Sequence, residues 1–336
     1  MLATIICADW SKEQRKRDAY VADVRERLVR RLGTEPLTVG SLVAAARTFR
    51  SGSVLVGIDA PLGAPRSLLT ATAAQLHLAP SATFTEWLSR LSESPEFFDP
   101  SDEPSHWSPL RPFFRVPAGA DGLGRWFRAM RSGGVEPYRR VDTATSAKSL
   151  FVLSGIPGSV GCSVRDVWKA LADILSERPG DVRVWPFDLP EPDADADGVV
   201  LAEIYPRALY AAALLSDPPP SRPRLAVAKT DGQCRRAAIE CLLAHDWVRR
   251  HGVRFADVDA ETMTEDAGDA LLSAAGALRC VLEGTPLGWK GADAFEGGII
   301  GLESVNLSLP ERTFLRPSPS NAARKQASPM NLTGAR

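Results

Sequence analysis

The chain has 336 residues, which is enough for about two domains or for one large α/β domain with an insertion. Hydrophobic residues make up 44% and charged residues 24%, a globular composition that argues against a disordered, fibrous or membrane protein. Lys and Arg number 40 against 41 Asp and Glu, so the formal net charge is -1. The molecule as a whole does not attract nucleic acid, and any such contact depends on local basic stretches or bound metal ions.

Cysteine usage and hydropathy indicate a reducing compartment and no membrane span. The five cysteines are an odd number without a CxxC pair, which fits neither a disulfide framework nor a structural zinc site. No apolar run reaches the roughly 18 residues that a transmembrane helix needs. The apolar start of the chain lacks a basic region and is interrupted by Asp9, so a signal peptide is not expected. We therefore expect a cytoplasmic protein without membrane contact.

The first 80 residues predict strands and one helix. The apolar runs 4–8 and 19–22 predict two strands of a hairpin, joined by a charged turn. Residues 25–32 fit a strand and a short helix equally well. Thr38 begins an amphipathic helix that extends to residue 50. Residues 53–58 are apolar without polar alternation, which is typical of a central strand covered on both faces, and Asp59 follows directly.

The region 81–161 differs from the rest in its closely spaced prolines and large aromatic side chains. These aromatic residues are Trp87, Phe97, Phe98, Trp107, Phe113, Phe114, Trp126 and Phe127. Together they have too much apolar surface to stay disordered. We therefore expect an inserted subdomain, rich in proline and aromatic residues, that packs over the main sheet.

The C-terminal half returns to alternating helices and strands. Helices are predicted at 164–175, 232–251 and 266–282, and strands at 182–185, 199–206 and 298–302. The tail from residue 316 has almost no core-forming residues and is predicted to be disordered. The predicted organisation is a core formed by 1–80 and 162–315, the inserted subdomain 81–161, and the tail 316–336.

Carboxylates interrupt or end three of the apolar strands. Asp9 follows the first strand, Asp59 follows the central strand, and Glu203 lies within the strand 199–206. Asp266 and Asp269 are three residues apart and therefore share one face of a helix, near its N-terminus. Taken singly, each strand acid is explained equally well as a strand cap, and a first-turn position explains the helix acids better than a metal site does. As a set, they are what an oxygen-ligand site for a hard cation requires.

Eight short motifs, taken in order, resemble the family catalogued as domain of unknown function 429. They are VGIDAPLG (56–63), RRVD (139–142), AKS (147–149), GSVG (158–161), VWPF (184–187), AEIYP (202–206), DAGDA (266–270) and EGGIIG (296–301). The family is regarded as predicted nucleases of ribonuclease H-like fold. The resemblance implies an α/β protein with a ribonuclease H-like mixed sheet flanked by helices. It also implies an acid on the first strand, a second on the fourth strand and one or two on a late helix.

On this resemblance, Asp9, Asp59 and Asp269 match the acids of the family, with Asp266 as a neighbouring ligand and Glu203 as a further catalytic acid. The implied reaction is hydrolysis of a phosphodiester in nucleic acid by two Mg²⁺ or Mn²⁺ ions about 4 Å apart. Candidate phosphate-binding cations are Arg66, Arg139, Arg140, Lys148 and Lys229, although each fits a solvated surface charge equally well.

Two other functions remain open at this stage. One is a binding module for nucleic acid or protein that keeps the fold without catalysis. The other is a nucleotide-dependent phosphotransferase of actin-like architecture, which needs a glycine-containing phosphate turn after the first strand. Residues 10–15 contain no glycine, so the nuclease is the leading interpretation. The oligomeric state is not predicted.

Overall fold

The computed structural model describes residues 2–33, 36–49, 52–117, 122–156, 158–193, 198–228 and 230–314. The predicted tail and the predicted phosphate-binding Lys229 lie outside these ranges. The strands are β1 (Leu2–Asp9), β2 (Asp18–Asp23), β3 (Leu28–Arg31), β4 (Ser53–Ile58), β5 (Phe114–Arg115), β6 (Val152–Ser154), β7 (Arg183–Val184), β8 (Val199–Ile204), β9 (Leu225–Val227), β10 (Arg254–Ala256), β11 (Ile299–Ile300) and β12 (Arg312–Phe314). The helices are α1 (Val39–Ala46), α2 (Arg66–Thr72), α3 (Phe84–Arg90), α4 (Gly122–Ser132), α5 (Arg140–Thr145), α6 (Gly161–Glu177), α7 (Pro206–Leu214), α8 (Gly232–Leu243), α9 (Asp246–His251) and α10 (Glu265–Leu282).

The fold is of the α/β class, with a mixed sheet flanked by helices. Its main sheet has the strand order β10-β3-β2-β1-β4-β8-β11, and β7 also pairs with β8. β2 is antiparallel to β1 and β3, as the predicted hairpin requires, whereas β4 is parallel to both β1 and β8. The carboxyl ends of β1, β4 and β8 therefore meet at one edge, where open α/β sheets place their ligands.

Side-chain alternation along β1 and β4 separates two hydrophobic cores. Ile6 and Val56 belong to the core that α1, α3 and α6 cover. Cys7 and Leu55 belong to the core that α7, α8 and α10 cover. Odd-numbered positions of β1 and β4 therefore face α7 and α10, which decides where the carboxylates at the strand ends lie.

The aromatic side chains of the region 81–161 are packed, as the sequence predicts. Trp87, Phe97 and Phe113 have no exposed surface and join the core covered by α6. The ring of Trp168 on α6 lies 5.7 Å from that of Trp87, in an edge-to-face arrangement. Aromatic packing thus fixes this region against the main sheet.

Several elements differ from the sequence prediction in length or number. Residues 25–32, whose sequence fits a strand and a short helix equally well, contain the strand β3. The helix predicted at 232–251 is divided into α8 and α9, because the side chain of His245 accepts a hydrogen bond from the N–H of Trp247 and begins a new helix. α7 was not predicted. Among the described residues, no helix is long and apolar enough to cross a membrane.

Candidate functional site

Asp9 and Asp59 end two adjacent parallel strands on the same face of the sheet. Ala8 lies opposite Ile58 in the register, and the N–H of Asp59 donates to the carbonyl oxygen of Ala8 at 3.0 Å. Both acids occupy odd-numbered positions, so strand alternation directs them toward α7 and α10. Asp9 is buried and Asp59 is half-buried. Asp59 is thus the more accessible of the two.

Asp269 approaches the same region from α10. The side chain of Thr264 begins this helix by accepting a hydrogen bond from the N–H of Ala267 at 3.2 Å. α10 packs closely on α7 at Gly276, where a Cβ would lie 2.1 Å from the carbonyl oxygen of Leu209. This close approach sets buried Asp269 beside α7.

Tyr210 on α7 is the residue on which these acids converge. It is 3% exposed and hydrogen-bonds Asp269, and the charges of Asp59 and Asp9 also act on it. Burial, followed by the negative charge of these carboxylates, raises the pKa of the Tyr210 hydroxyl well above its ordinary value. Tyr210 therefore stays protonated at neutral pH and donates to a carboxylate. We call Asp9, Asp59, Asp269 and Tyr210 the acid cluster.

The oxygen donors of the acid cluster fit Mg²⁺ or Mn²⁺ in kind, because carboxylates and hydroxyls are hard ligands. Their present arrangement is more open than a metal site. Across the described ranges, no three or more His, Cys, Asp or Glu side chains form a group that could hold an ion. Asp266, also predicted as a ligand, is half-buried and lies three residues before Asp269 on α10. The acids thus converge without closing around one point.

Glu203 lies on the opposite face of the sheet from Asp9 and Asp59. It pairs with Ile58 in the β4–β8 register, and Ile58 belongs to the core covered by α6. Its carboxylate accepts hydrogen bonds from Arg139 at 2.7 and 2.9 Å and from the N–H of Leu62 at 2.8 Å. The structure therefore does not bring the predicted catalytic Glu203 together with the other acids.

Arg139, predicted to bind phosphate, is 1% exposed. Its guanidinium donates to Asp142 at 2.8 Å, to Glu203 and to the carbonyl oxygen of Leu62 at 2.9 Å. Burial alone would lower the pKa of Arg139, but the carboxylates of Asp142 and Glu203 raise it, so the side chain is charged. All of these acceptors are internal, so Arg139 holds the loop after Asp59 through the carbonyl oxygen of Leu62 and does not reach a surface ligand.

The other predicted cations that the structure describes, Arg66, Arg140 and Lys148, lie at the surface. Arg66 and Arg140 both form ion pairs with Asp293, at 2.7 and 3.1 Å, and Arg140 also pairs with Glu296 at 3.2 Å. Hydrogen bonds from the N–H groups of Glu296 and Phe295, together with Arg66, lower the pKa of Asp293 against the effect of its burial. Lys148 is exposed. Two of these cations therefore belong to one surface network around residues 293–296.

Two features of the site were missed by sequence reasoning. Tyr210 lies in an Ala- and Leu-rich segment that is typical of a core helix, and only Pro206 at the first position of α7 signals the helix start. The second feature is a cavity of about 540 Å³ whose wall includes Trp10, Lys12 and Asp59. No local pattern joins these residues, because the cavity exists only once β1 and β4 lie side by side.

Comparisons with known proteins do not identify this protein. No protein-family model, curated protein or solved structure matches the chain. The resemblance to domain of unknown function 429 stays a prediction.

Proposed function

We propose that the protein is a metal-dependent nuclease that hydrolyses phosphodiester bonds at the acid cluster. The observation that supports this most strongly is geometric: Asp9 and Asp59 come at the ends of adjacent parallel strands, on the face of the sheet that α10 covers, and buried Asp269 lies on α10. The charges of all three acids act on the buried hydroxyl of Tyr210. Several carboxylates held together out of water are costly unless hydrogen bonds or a cation compensate them. A divalent cation would offset that charge, and its negative ligands would remain ionised.

The sheet topology supports the same proposal. The strand order β3-β2-β1-β4-β8, with β2 alone antiparallel to its neighbours in this stretch, is compatible with a ribonuclease H-like sheet. Asp9 lies on the first strand, Asp59 follows the fourth, and Asp269 lies on a late helix. This is the layout that the sequence resemblance implies, so the topology supports the choice of these three acids.

The described residues have distinct roles in the proposed reaction. Asp9, Asp59 and Asp269 would hold Mg²⁺ or Mn²⁺, which supplies a Lewis acid and an activated water when bound. Tyr210 donates to Asp269 and so limits the orientations of that carboxylate. Arg139, through its bond to Leu62, holds the loop that follows Asp59. Half-buried Asp59 gives the acid cluster its access to the cavity.

The test is hydrolysis of labelled single-stranded DNA, single-stranded RNA and duplexes in Mn²⁺ or Mg²⁺. We expect activity that EDTA abolishes and that falls by orders of magnitude in Asp9→Asn, Asp59→Asn and Asp269→Asn. Each variant is first checked for cooperative thermal unfolding. Asp173→Asn, an exposed acid on α6, is the matched control and should keep full activity.

The same preparations distinguish the two alternative functions. Binding of nucleic acid without hydrolysis in any metal would replace the nuclease with a binding module. Hydrolysis of ATP, lost in the same three variants, would favour the phosphotransferase. Hydrolysis that survives equally in all three variants would come from a contaminant or from another site, and would remove the acid cluster from the proposal.

A further inference from the structure

A cavity of about 540 Å³ lies where β1 and β4 end, beside the acid cluster. Its wall is formed by the segments that follow β1, β4 and β6, and by the start of α6. The lining residues are Trp10, Ser11, Lys12, Asp59, Pro61, Leu153, Ser154, Gly155, Ile156, Gly158, Ser159, Val160, Cys162 and Ser163. The volume lies within the range of about 300–1,000 Å³ that is typical of small-molecule sites. The cavity is therefore large enough for a mononucleotide.

One side of the cavity favours an anion. Lys12 is exposed and supplies a positive charge. Val160, Cys162 and Ser163 also line the cavity, so the first turn of the 17-residue helix α6 borders it. Val160 provides no side-chain cap for this helix, and the first turn contains no acidic residue, so the positive end of the helix dipole is not neutralised within the helix itself. Lys12 and α6 together therefore present positive potential to a phosphate.

Another part of the wall is apolar and held in place. Trp10 is 5% exposed, and the guanidinium carbon of Arg17 lies 4.1 Å from the centre of its ring. The hydroxyl of Ser163 donates to the carbonyl oxygen of Trp10 at 3.1 Å and ties the start of α6 to this segment. Leu153 and Ile156 extend the apolar surface. A ligand with an anionic group and a flat, less polar body matches this division.

We propose that the cavity binds one nucleoside monophosphate unit at the end of a single-stranded nucleic acid, with its phosphate beside Lys12 and the start of α6. The choice of a nucleotide among phosphorylated compounds rests on the proposed function. Asp59 belongs to both the cavity wall and the acid cluster, so a nucleotide in the cavity lies next to the site assigned to hydrolysis. The proposed substrate is therefore a single-stranded chain end, which can place one unpaired nucleotide in the cavity.

Cys162 offers a direct probe of occupancy, because it lines the cavity and is half-buried. Cys241 on α8 is also half-buried but is not among the lining residues, so it serves as an internal control. Alkylation of both thiols by a maleimide is followed by mass spectrometry in EDTA, which prevents hydrolysis. We expect AMP and a 5′-phosphorylated single-stranded oligonucleotide to slow alkylation of Cys162 severalfold and to leave Cys241 unchanged.

Lys12→Ala should weaken the protection of Cys162 by AMP about fivefold, the effect of losing one exposed charge pair. Lys16→Ala is the matched control, because Lys16 is exposed and pairs with Glu13 at 2.8 Å outside the cavity wall. Equal protection by adenosine would show that the phosphate is not recognised. Equal protection by inorganic phosphate would reduce the cavity to an anion site. Either of these results would overturn the proposal. It would also be overturned if a closed duplex hairpin protected Cys162 more strongly than the single strand, or if no probe protected it.

The result of the alkylation experiment can be distinguished from the result of the hydrolysis test. Protection of Cys162 without Mn²⁺-dependent hydrolysis would keep the nucleotide cavity and remove the nuclease. Hydrolysis that Lys12→Ala leaves unchanged, together with unprotected Cys162, would keep the nuclease and remove the nucleotide cavity.

Discussion

Tyr210 and Asp269 hydrogen-bond each other across the interface of α7 and α10, although they are 59 positions apart in the chain, and both side chains are at most 3% exposed. Deprotonation of a buried phenol beside a carboxylate has a high free-energy cost, because it would create a second negative charge there. The phenol therefore remains a hydrogen-bond donor. The pair therefore fixes one carboxylate of the acid cluster while the hydroxyl stays neutral. The contact depends on the close approach of the two helices.

Removing the hydroxyl tests this relationship. Tyr210→Phe should lower the free energy of unfolding by about 1–3 kcal/mol at neutral pH, because Asp269 loses a buried donor. Tyr138→Phe is the control, since Tyr138 is half-buried, and should change stability by less than about 0.5 kcal/mol. Urea unfolding of both variants measures the difference. A neutral Tyr210→Phe would mean that the hydrogen bond does not stabilise the fold.

Alkaline pH gives a second test of the same residue. Because the folded-state pKa of Tyr210 is raised above its unfolded value of about 10, its contribution to stability is complete below pH 10. That contribution is lost as the pH rises from 10 through the folded-state pKa. Wild-type stability should therefore decline in this window more steeply than that of Tyr210→Phe. Parallel declines in the two proteins would contradict the raised pKa.

The places of Asp9 and Asp59 at strand ends can be predicted from the sequence because their signals are local. Each follows an apolar run, and a strand covered on both faces needs no information from distant parts of the chain. The position of Glu203 depends instead on the register between β4 and β8, since a shift of one residue turns a side chain to the other face. Tyr210 depends on the packing of α7 against α10. Its place is therefore a property of the tertiary structure alone.

Arg139, which is buried and holds the loop after Asp59, should be essential for stability. Arg139→Met leaves the carboxylates of Asp142 and Glu203 buried without their cation, and breaking a buried pair in this way costs about 3–5 kcal/mol. Arg140→Met is the neighbouring control, because its side chain is 65% exposed. It should cost no more than about 1 kcal/mol. Chemical denaturation that gives equal losses for the two variants would argue against the internal role of Arg139.

The helix contact that supports Tyr210 can be tested at a glycine. Gly276→Ala places a Cβ against the backbone of Leu209, so α7 and α10 must separate, at a cost of about 1–3 kcal/mol. Gly40→Ala, also inside a helix, is the control, since the nearest atom to its Cβ would be 3.9 Å away. It should stabilise the protein slightly, because alanine favours helix. Thermal unfolding measures the loss of stability expected for Gly276→Ala and the gain expected for Gly40→Ala.

Metal binding by the acid cluster can be measured without any assay of hydrolysis. Asp9 lies opposite Asp18 in the β1–β2 register, and its charge acts on the same hydroxyl as those of Asp59 and Asp269. Asp9→Asn removes one of these negative charges. We therefore expect the metal-free variant to be as stable as the wild type or more stable, whereas its affinity for Mn²⁺ falls.

Mn²⁺ at a hundredfold excess over its dissociation constant should stabilise the wild type by about 2.7 kcal/mol, and the same concentration should stabilise Asp9→Asn much less. Asp173→Asn, which keeps the acid cluster intact, should retain the full gain. A variant that is unfolded without metal would assign Asp9 a structural role, because the amide preserves the size of the side chain and removes only its charge. A full gain in Asp9→Asn would place the ion elsewhere, since a ligand that loses its charge cannot bind a hard cation equally well.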